Sequence, residues 1–163
     1  MNEKDRLLAA QWILERNIGW ITTAEVKVGV VVAFGTAMMG GLAAAFGASD
    51  DSSKSAWAYL FLVTAAVALS ISLACAAMSI FPRLNGPSSS FLFFGRIAEK
   101  SVLEYTDDFC RATDEELLKD WCAQIHRNAE IARDKHAWVR KSMGWAFFGA
   151  IPWVGAIALL SKF

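Results

Sequence analysis

Hydrophobic residues in this chain gather in long runs, and three of the runs hold no charged residue. Residues 28–46 are uncharged throughout. At 1.5 Å per residue a helix of that length reaches roughly 28 Å, about the thickness of a bilayer's hydrocarbon core. Residues 56–81 are uncharged as well and stop at Pro82, which leaves enough length to cross with tilt or to protrude at one end. Residues 143–160 are shorter and contain Gly144, Gly149, Pro152 and Gly155. Their apolar density and the flanking Trp145 and Trp153 still favour crossing over surface binding. The pattern predicts three transmembrane helices.

Between and before these runs the pattern changes period. Leu7, Leu14 and Ile21 fall a heptad apart, so residues 4–22 read as an amphipathic helix that packs on other helices or lies at the membrane interface. Asn85, Gly86, Pro87 and the serines at 88–90 make residues 82–90 a loop. A helix is expected over residues 93–109, with Ile97, Val102, Tyr105 and Phe109 as its apolar face. Thr113 followed by Glu116 forms a capping box that opens a second helix. No Gly or Pro follows until Gly144, so that helix is expected to run on into the third span as one rod of about 45 residues, roughly 70 Å.

Charge gives the spans an orientation. Lys4, Arg6, Arg16 and Lys27 precede the first span, and ten Lys and Arg lie between spans two and three, against Lys54 in the loop after span one and Lys162 at the tail. The positive-inside rule then puts residues 1–27 and 82–142 in the cytoplasm and the loop 47–55 and tail 161–163 outside. The expected fold is all-α: an integral membrane protein with three transmembrane helices and a cytoplasmic helical segment between spans two and three. Composition agrees, with 55% hydrophobic residues, seven Trp and only 20% charged residues in 163. Acidic and basic residues number 16 each, so the totals say nothing about a polyanion partner until the charges are placed along the chain; no nucleic-acid partner is expected. Three cysteines without tight spacing make no disulfide framework, and Cys110 and Cys122 suit a reducing compartment. The N-terminal segment is charged throughout and lacks the apolar stretch of a signal peptide, so it is expected to stay in the mature protein.

Several residue sets bear on function. Ala33, Ala37, Gly41 and Ala45 in span one recur every four positions, as do Ala66, Ser70 and Ala74 in span two. Small residues at this spacing let helices approach closely, within one subunit or between subunits of a homo-oligomer. No span holds an interior charge, which argues against a pump or secondary transporter. Thr64, Ser70, Ser72 and Ser79 can line a pore, although hydroxyls in spans usually bond their own helix or a neighbour. Gln124, Asn128, Ile131, Lys135 and Trp138 share one helical face. Such a face suits either a small anionic ligand such as a nucleotide or a polar seam between helices. Cys122 and His126 lie one turn apart with His136 beyond, but no second close pair completes a metal site. No nucleophile elbow, glycine-rich phosphate loop or paired carboxylate set is present. Neither an enzyme nor a bound cofactor or metal is expected.

Three patches resemble the transmembrane effectors of Pycsar antiphage defence, the PycTM type. IGWITTAEVKVGVVV looks like the family's entry to span one, with Glu25 and Lys27 as its acid and lysine, where the family more often has Asp at the first. FLFFGRIAEKSVLEY is similar to its Phe-Gly signature followed by a tyrosine, here Phe94, Gly95 and Tyr105. QIHRNAEIARDKHAWVRKS looks like its Gln, Asn and Lys helix before the last span, here Gln124, Asn128, Ile131 and Lys135. The resemblance implies an effector in the bacterial inner membrane. It would bind a cyclic pyrimidine mononucleotide, cyclic UMP or cyclic CMP, made by a partner pyrimidine cyclase, and then impair the membrane so that the infected cell dies or stops growing. On that reading residues 82–142 sense the ligand. Lys135 or Arg96 would meet the phosphate and Tyr105 or Trp138 the base, with Gln124 and Asn128 nearby. The alternatives are a structural or scaffolding membrane protein without ligand, and an effector gated by a cyclic dinucleotide.

Overall fold

A computed structural model describes residues 2–50, 54–83 and 85–161. Lys162 and the end of the tail, and Asp51, Ser52 and Ser53 of the expected external loop, lie outside the described residues. Five helices follow in order: α1 (Glu3–Ala48), α2 (Ala56–Ile80), α3 (Phe94–Ala98), α4 (Val102–Arg111) and α5 (Asp114–Leu160). No strand occurs among the described residues. Helices α1, α2 and α5 are each long and apolar enough to cross a membrane. The amphipathic segment at 4–22 and the first apolar run form one helix, and the rod expected from Asp114 is the 47-residue α5.

The chain divides into two compact units, one of residues up to Thr23 with Pro82–Asp134, the other of Ala24–Phe81 with residues from Lys135 onward. The second, apolar unit extends past its charge-free runs to take in Ala24 and Lys135. Its core joins Met38 and Leu42 of α1 with Ala65 and Leu69 of α2 and Ala156 of α5. A second cluster joins Ala24, Val28, Ala76 and Val139. At Gly149 α5 packs tightly on α2, for a Cβ there would stand 3.1 Å from Cβ of Ala68. A span has no water to satisfy its hydroxyls, so each must bond protein. Ser72 Oγ donates to the Ser142 carbonyl at 2.8 Å, and Ser142 Oγ donates to the Ser72 carbonyl at 2.8 Å. Thr64 turns back on the Leu60 carbonyl of its own helix, and Trp153 Nε1 donates to the Met38 carbonyl at 2.8 Å. These hydroxyls serve packing. Large apolar side chains on the far faces, such as Val30, Val67 and Ile151, are more than half exposed, which a surrounding lipid phase accounts for.

The small-residue stripes are only partly used within the chain. Gly41 lies against the Trp153 ring, Ala45 is half-buried and Ala66 packs on the core, whereas Ala33, Ala37, Ser70 and Ala74 face outward. The inward face of α1 runs instead through Ala24, Val28, Val31, Met38 and Leu42.

In the polar unit one expectation fails. Residues 93–109 do not form a single helix: the chain leaves α3 after Ala98, and Ser101 caps α4 by accepting from the Glu104 amide at 3.2 Å. The break rotates the face, so Val102 is 81% exposed rather than inward. The capping box of α5 forms as expected, with the Thr113 amide donating to Glu116 at 2.8 Å and the Glu116 amide to Thr113 Oγ at 3.3 Å. Asn17 of α1 donates to the Ile125 carbonyl of α5 at 3.0 Å, with Ala10 buried on the same face.

Candidate ligand groove and helix latch

The loop before α3 is held by side chains that reach its backbone. Asp120, buried on α5, accepts through Oδ2 from the amides of Phe91 at 2.7 Å and Leu92 at 3.1 Å. Ser90 Oγ accepts from the Leu92 and Phe93 amides at 3.1 and 2.9 Å, and from Gln124 Nε2 at 2.9 Å. Tyr105 donates its hydroxyl to the Phe91 carbonyl at 2.9 Å, and Arg127 Nε donates to the Asn85 carbonyl at 2.8 Å. The Phe93 ring lies over Gly95, where a Cβ would come within 2.6 Å of it, and it also crowds Gly86. Gly95 of the Phe-Gly pair is therefore needed for the packing of Phe93, whereas Phe94 is itself largely exposed.

Beside this loop lies a groove of about 770 Å³ whose walls include Phe91, Arg96, Lys100, Glu116, Lys119 and Asp120, a volume in the range of small-molecule sites. Lys100 lies 5.9 Å from the centre of the Phe91 ring. Its ammonium donates to Asp108 at 2.6 Å, a bond that holds its pKa above the ordinary lysine value against the pull of desolvation. Lys119 is likewise raised by its bond to Glu115, which is lowered in return. Glu116 is held low by the Thr113 amide and hydroxyl. Both lysines are therefore cationic at neutral pH. Arg96 pairs with Glu99 at 2.8 Å, leaving further guanidinium donors for an anion.

The residues expected to bind ligand fall into two places. Arg96, Tyr105 and Gln124 belong to the groove or to the bonds that shape its wall, and Asn128 donates to the Gln124 carbonyl one turn back on α5. Lys135 and Trp138 belong to the apolar unit. Lys135, 6% exposed, donates to Glu25 of α1 at 2.9 Å and to the Ser79 carbonyl of α2 at 3.0 Å, while Ser79 Oγ donates to the Lys135 carbonyl at 3.3 Å. Its ammonium latches three helices, and the Trp138 ring is covered by Lys141 at 4.3 Å. The shared face read from the sequence is thus a polar seam at these positions. Reasoning from sequence missed Ser90, Phe91, Lys100, Lys119 and Asp120. One signal was present: Asp120 lies four residues before Gln124 on the same face. Among the described residues no group of His, Cys, Asp and Glu is placed to hold a metal ion.

Three spanning helices and a helical unit with a groove lined by both cations and carboxylates define a small membrane protein with a candidate ligand site. The chain belongs to the Pycsar effector family, for the family model described as PycTM, Pycsar effector protein domain, matches residues 9–162. It is similar to the Pycsar effector protein PtPycTM of Propioniciclava tarda, at 29% identity over 142 residues, covering 81% of this chain and 69% of that protein. No solved structure matches the chain. Membership makes it an effector of antiphage defence, the partner of a cyclase in cyclic-nucleotide signalling and not itself the cyclase.

Proposed function

We propose that this effector binds a cyclic pyrimidine mononucleotide, cyclic UMP or cyclic CMP, in the groove beside α3, and that binding drives the spans to breach the bacterial inner membrane. The observation that carries the reading is the groove itself, whose walls hold Phe91 and the cations Arg96, Lys100 and Lys119, interleaved with the carboxylates Glu99, Glu116 and Asp120. Such a ligand offers one phosphate charge to the cations and one flat base to an aromatic ring. Lys135 is left out of the site, because two of its three donors are held by Glu25 and the Ser79 carbonyl inside the apolar unit.

Binding acts only through a difference in affinity between resting and breaching states. Helix α5 carries both Asp120 of the groove wall and Ser142 of the apolar core, so a shift imposed at one is passed along one hydrogen-bonded helix. The outward Ala33, Ala37, Ser70 and Ala74 are where a second copy approaches to form a homo-oligomer. The excess of Lys and Arg puts the N-terminus and the polar unit in the cytoplasm, where the cyclase product accumulates, and the C-terminus outside.

The test is calorimetric titration of the detergent-solubilised full chain with cyclic UMP and cyclic CMP. Saturable binding of one of them, weakened roughly ten- to a hundredfold by Lys100→Glu, is the expected result. No binding of either removes the reading, and binding of a cyclic dinucleotide in their place replaces it.

A further inference from the structure

Helix α1 carries two seams with the alternating spacing of three and four that packed helices use. Leu7, Ala10, Leu14, Asn17, Ile21 and Ala24 turn inward, each buried or half-buried. Trp12, Arg16, Gly19 and Thr23 keep the same spacing on another face and are exposed, and the spacing continues through Val26, Val30, Ala33 and Ala37, exposed as well. Within the polar unit the outer seam forms a groove of about 440 Å³ lined by Trp12, Glu15, Arg16, Gly19, Trp20 and Thr23. Trp12 and Trp20 are 59% and 55% exposed, and between them a Cβ on Gly19 would meet nothing within 4 Å. Thr23 donates its hydroxyl to the Gly19 carbonyl at 2.8 Å, so it presents a methyl group rather than an unmet donor. The Arg16 guanidinium lies 5.2 Å from the centre of the Trp12 ring, and Glu15 accepts from Gln11 at 3.1 Å.

Lipid does not cover the whole of this seam. A bilayer with its headgroups is about 40–45 Å thick and takes up roughly 30 residues of helix. Helix α1 has 46 residues, and counted back from Ala48 the bilayer is used up near Gly19, about two turns short of Trp12. Exposed indoles beyond the headgroups call for a protein surface. Resting on the homo-oligomer in the reading above, we propose that the groove is filled by α1 of a second copy, the two helices lying parallel about a two-fold axis. Copies inserted in one membrane share one orientation, so α1 meets α1 side by side, and the seam that leaves the groove at Thr23 runs on to Ala33 and Ala37. At about 100° per residue, Glu15 falls about 60° to one side of the Trp12 direction and Arg16 about 40° to the other. The two-fold axis then sets Arg16 beside Glu15 of the partner subunit on each rim. One acid and one base leave the rim without net charge, so it matches its own copy better than an anionic headgroup or an acidic protein.

The experiment is oxidative cross-linking of single cysteines in the full chain, with Cys75, Cys110 and Cys122 replaced by Ala, in liposomes without nucleotide. Gly19→Cys and Thr23→Cys should give covalent dimers, whereas Ile18→Cys, also exposed but on another face, should not. Equal cross-linking at Ile18 and Gly19 overturns the proposal, because chance collision then accounts for both. A fluorophore on Gly19→Cys that bromine-labelled lipid quenches, in place of a cross-link, assigns the groove to the bilayer and overturns it too. Cross-linking of Ala37→Cys with none at Gly19 or Thr23 overturns this contact and leaves the homo-oligomer standing, while no cross-link at any of the three sinks the homo-oligomer itself. Sedimentation in detergent with the native cysteines in place gives an independent arm. Glu15→Arg should weaken self-association roughly tenfold and Glu15→Arg with Arg16→Glu should restore it; a double variant no tighter than Glu15→Arg overturns the two-fold pairing.

Discussion

Replacing Glu25 with Gln removes the carboxylate that Lys135 meets, and the structure sets bounds on the cost. The Lys135 side chain is 8% exposed and that of Glu25 is 55% exposed, so the pair is neither a surface pair nor a sealed one. Exposed pairs are worth about 0.2–1 kcal/mol, while stripping the partner from a buried charge costs about 3–5 kcal/mol. Solvent reaches Glu25, and the Lys135 ammonium keeps the Ser79 carbonyl at 3.0 Å, which draws the expectation down to about 1–2 kcal/mol. For a chain of this size that is a fall in melting temperature on the order of 3–6 °C. The assay is thermal unfolding of the full chain in detergent, followed by circular dichroism, as a double-mutant cycle with Lys135→Met. The two substitutions should be coupled by about 1 kcal/mol, since each acts largely by losing the other. Coupling below about 0.3 kcal/mol would refute the latch and return Lys135 to the list of groups free to meet a ligand. Lys135→Glu is expected to be worse than Lys135→Met, because it sets two carboxylates together beside a carbonyl.

Gly149→Leu should destabilise the chain by about 1–3 kcal/mol in the same assay, because the added side chain meets Ala68 and Leu69 where α2 and α5 touch; an unchanged melt would remove that contact from the packing. Ser72→Ala combined with Ser142→Ala should cost only about 1 kcal/mol, since both members of a reciprocal pair leave together. The pH response of the α5 cap has a definite sign. Glu116 is held low, so its contribution is full above the ordinary glutamate range and fades as pH falls through the depressed value. Amide-exchange protection of the first α5 turn should fall in that window and not at neutral pH, and that fall should be absent in Glu116→Gln and only reduced in Thr113→Val, which keeps the amide donor. Lys100 has the opposite sign: the stability from its bond to Asp108 holds up to the ordinary lysine range and is lost as pH rises through the raised value.

The spans were readable because a bilayer imposes a one-dimensional rule, a charge-free run of sufficient length, that needs no knowledge of what packs on what. Continuity of α5 followed from the lack of Gly and Pro between Asp114 and Gly144, and its start from Thr113 and Glu116. The break before α4 was also readable: Ser101 and Glu104 carry the same Ser-x-x-Glu spacing, which the apolar face drawn through Val102 overrode. The Glu25 and Lys135 pair was not readable, for the partners are 110 residues apart and no local period links them. Helical spacing put Gln124 and Lys135 on one face but could not say that Gln124 meets Ser90 while Lys135 meets Glu25. The groove depended on where the loop at 82–93 folds, and that is fixed by Asp120 and Tyr105 from other elements.

The most direct measurement of the account is release of an entrapped dye from liposomes that hold the purified full chain. Addition of cyclic UMP or cyclic CMP should start release from vesicles carrying the native protein, and Lys100→Glu should abolish it at the same nucleotide concentration without loss of insertion. Vesicles that stay sealed while the nucleotide demonstrably binds, or that leak equally with none present, would contradict the claim that ligand in this groove is what opens the membrane.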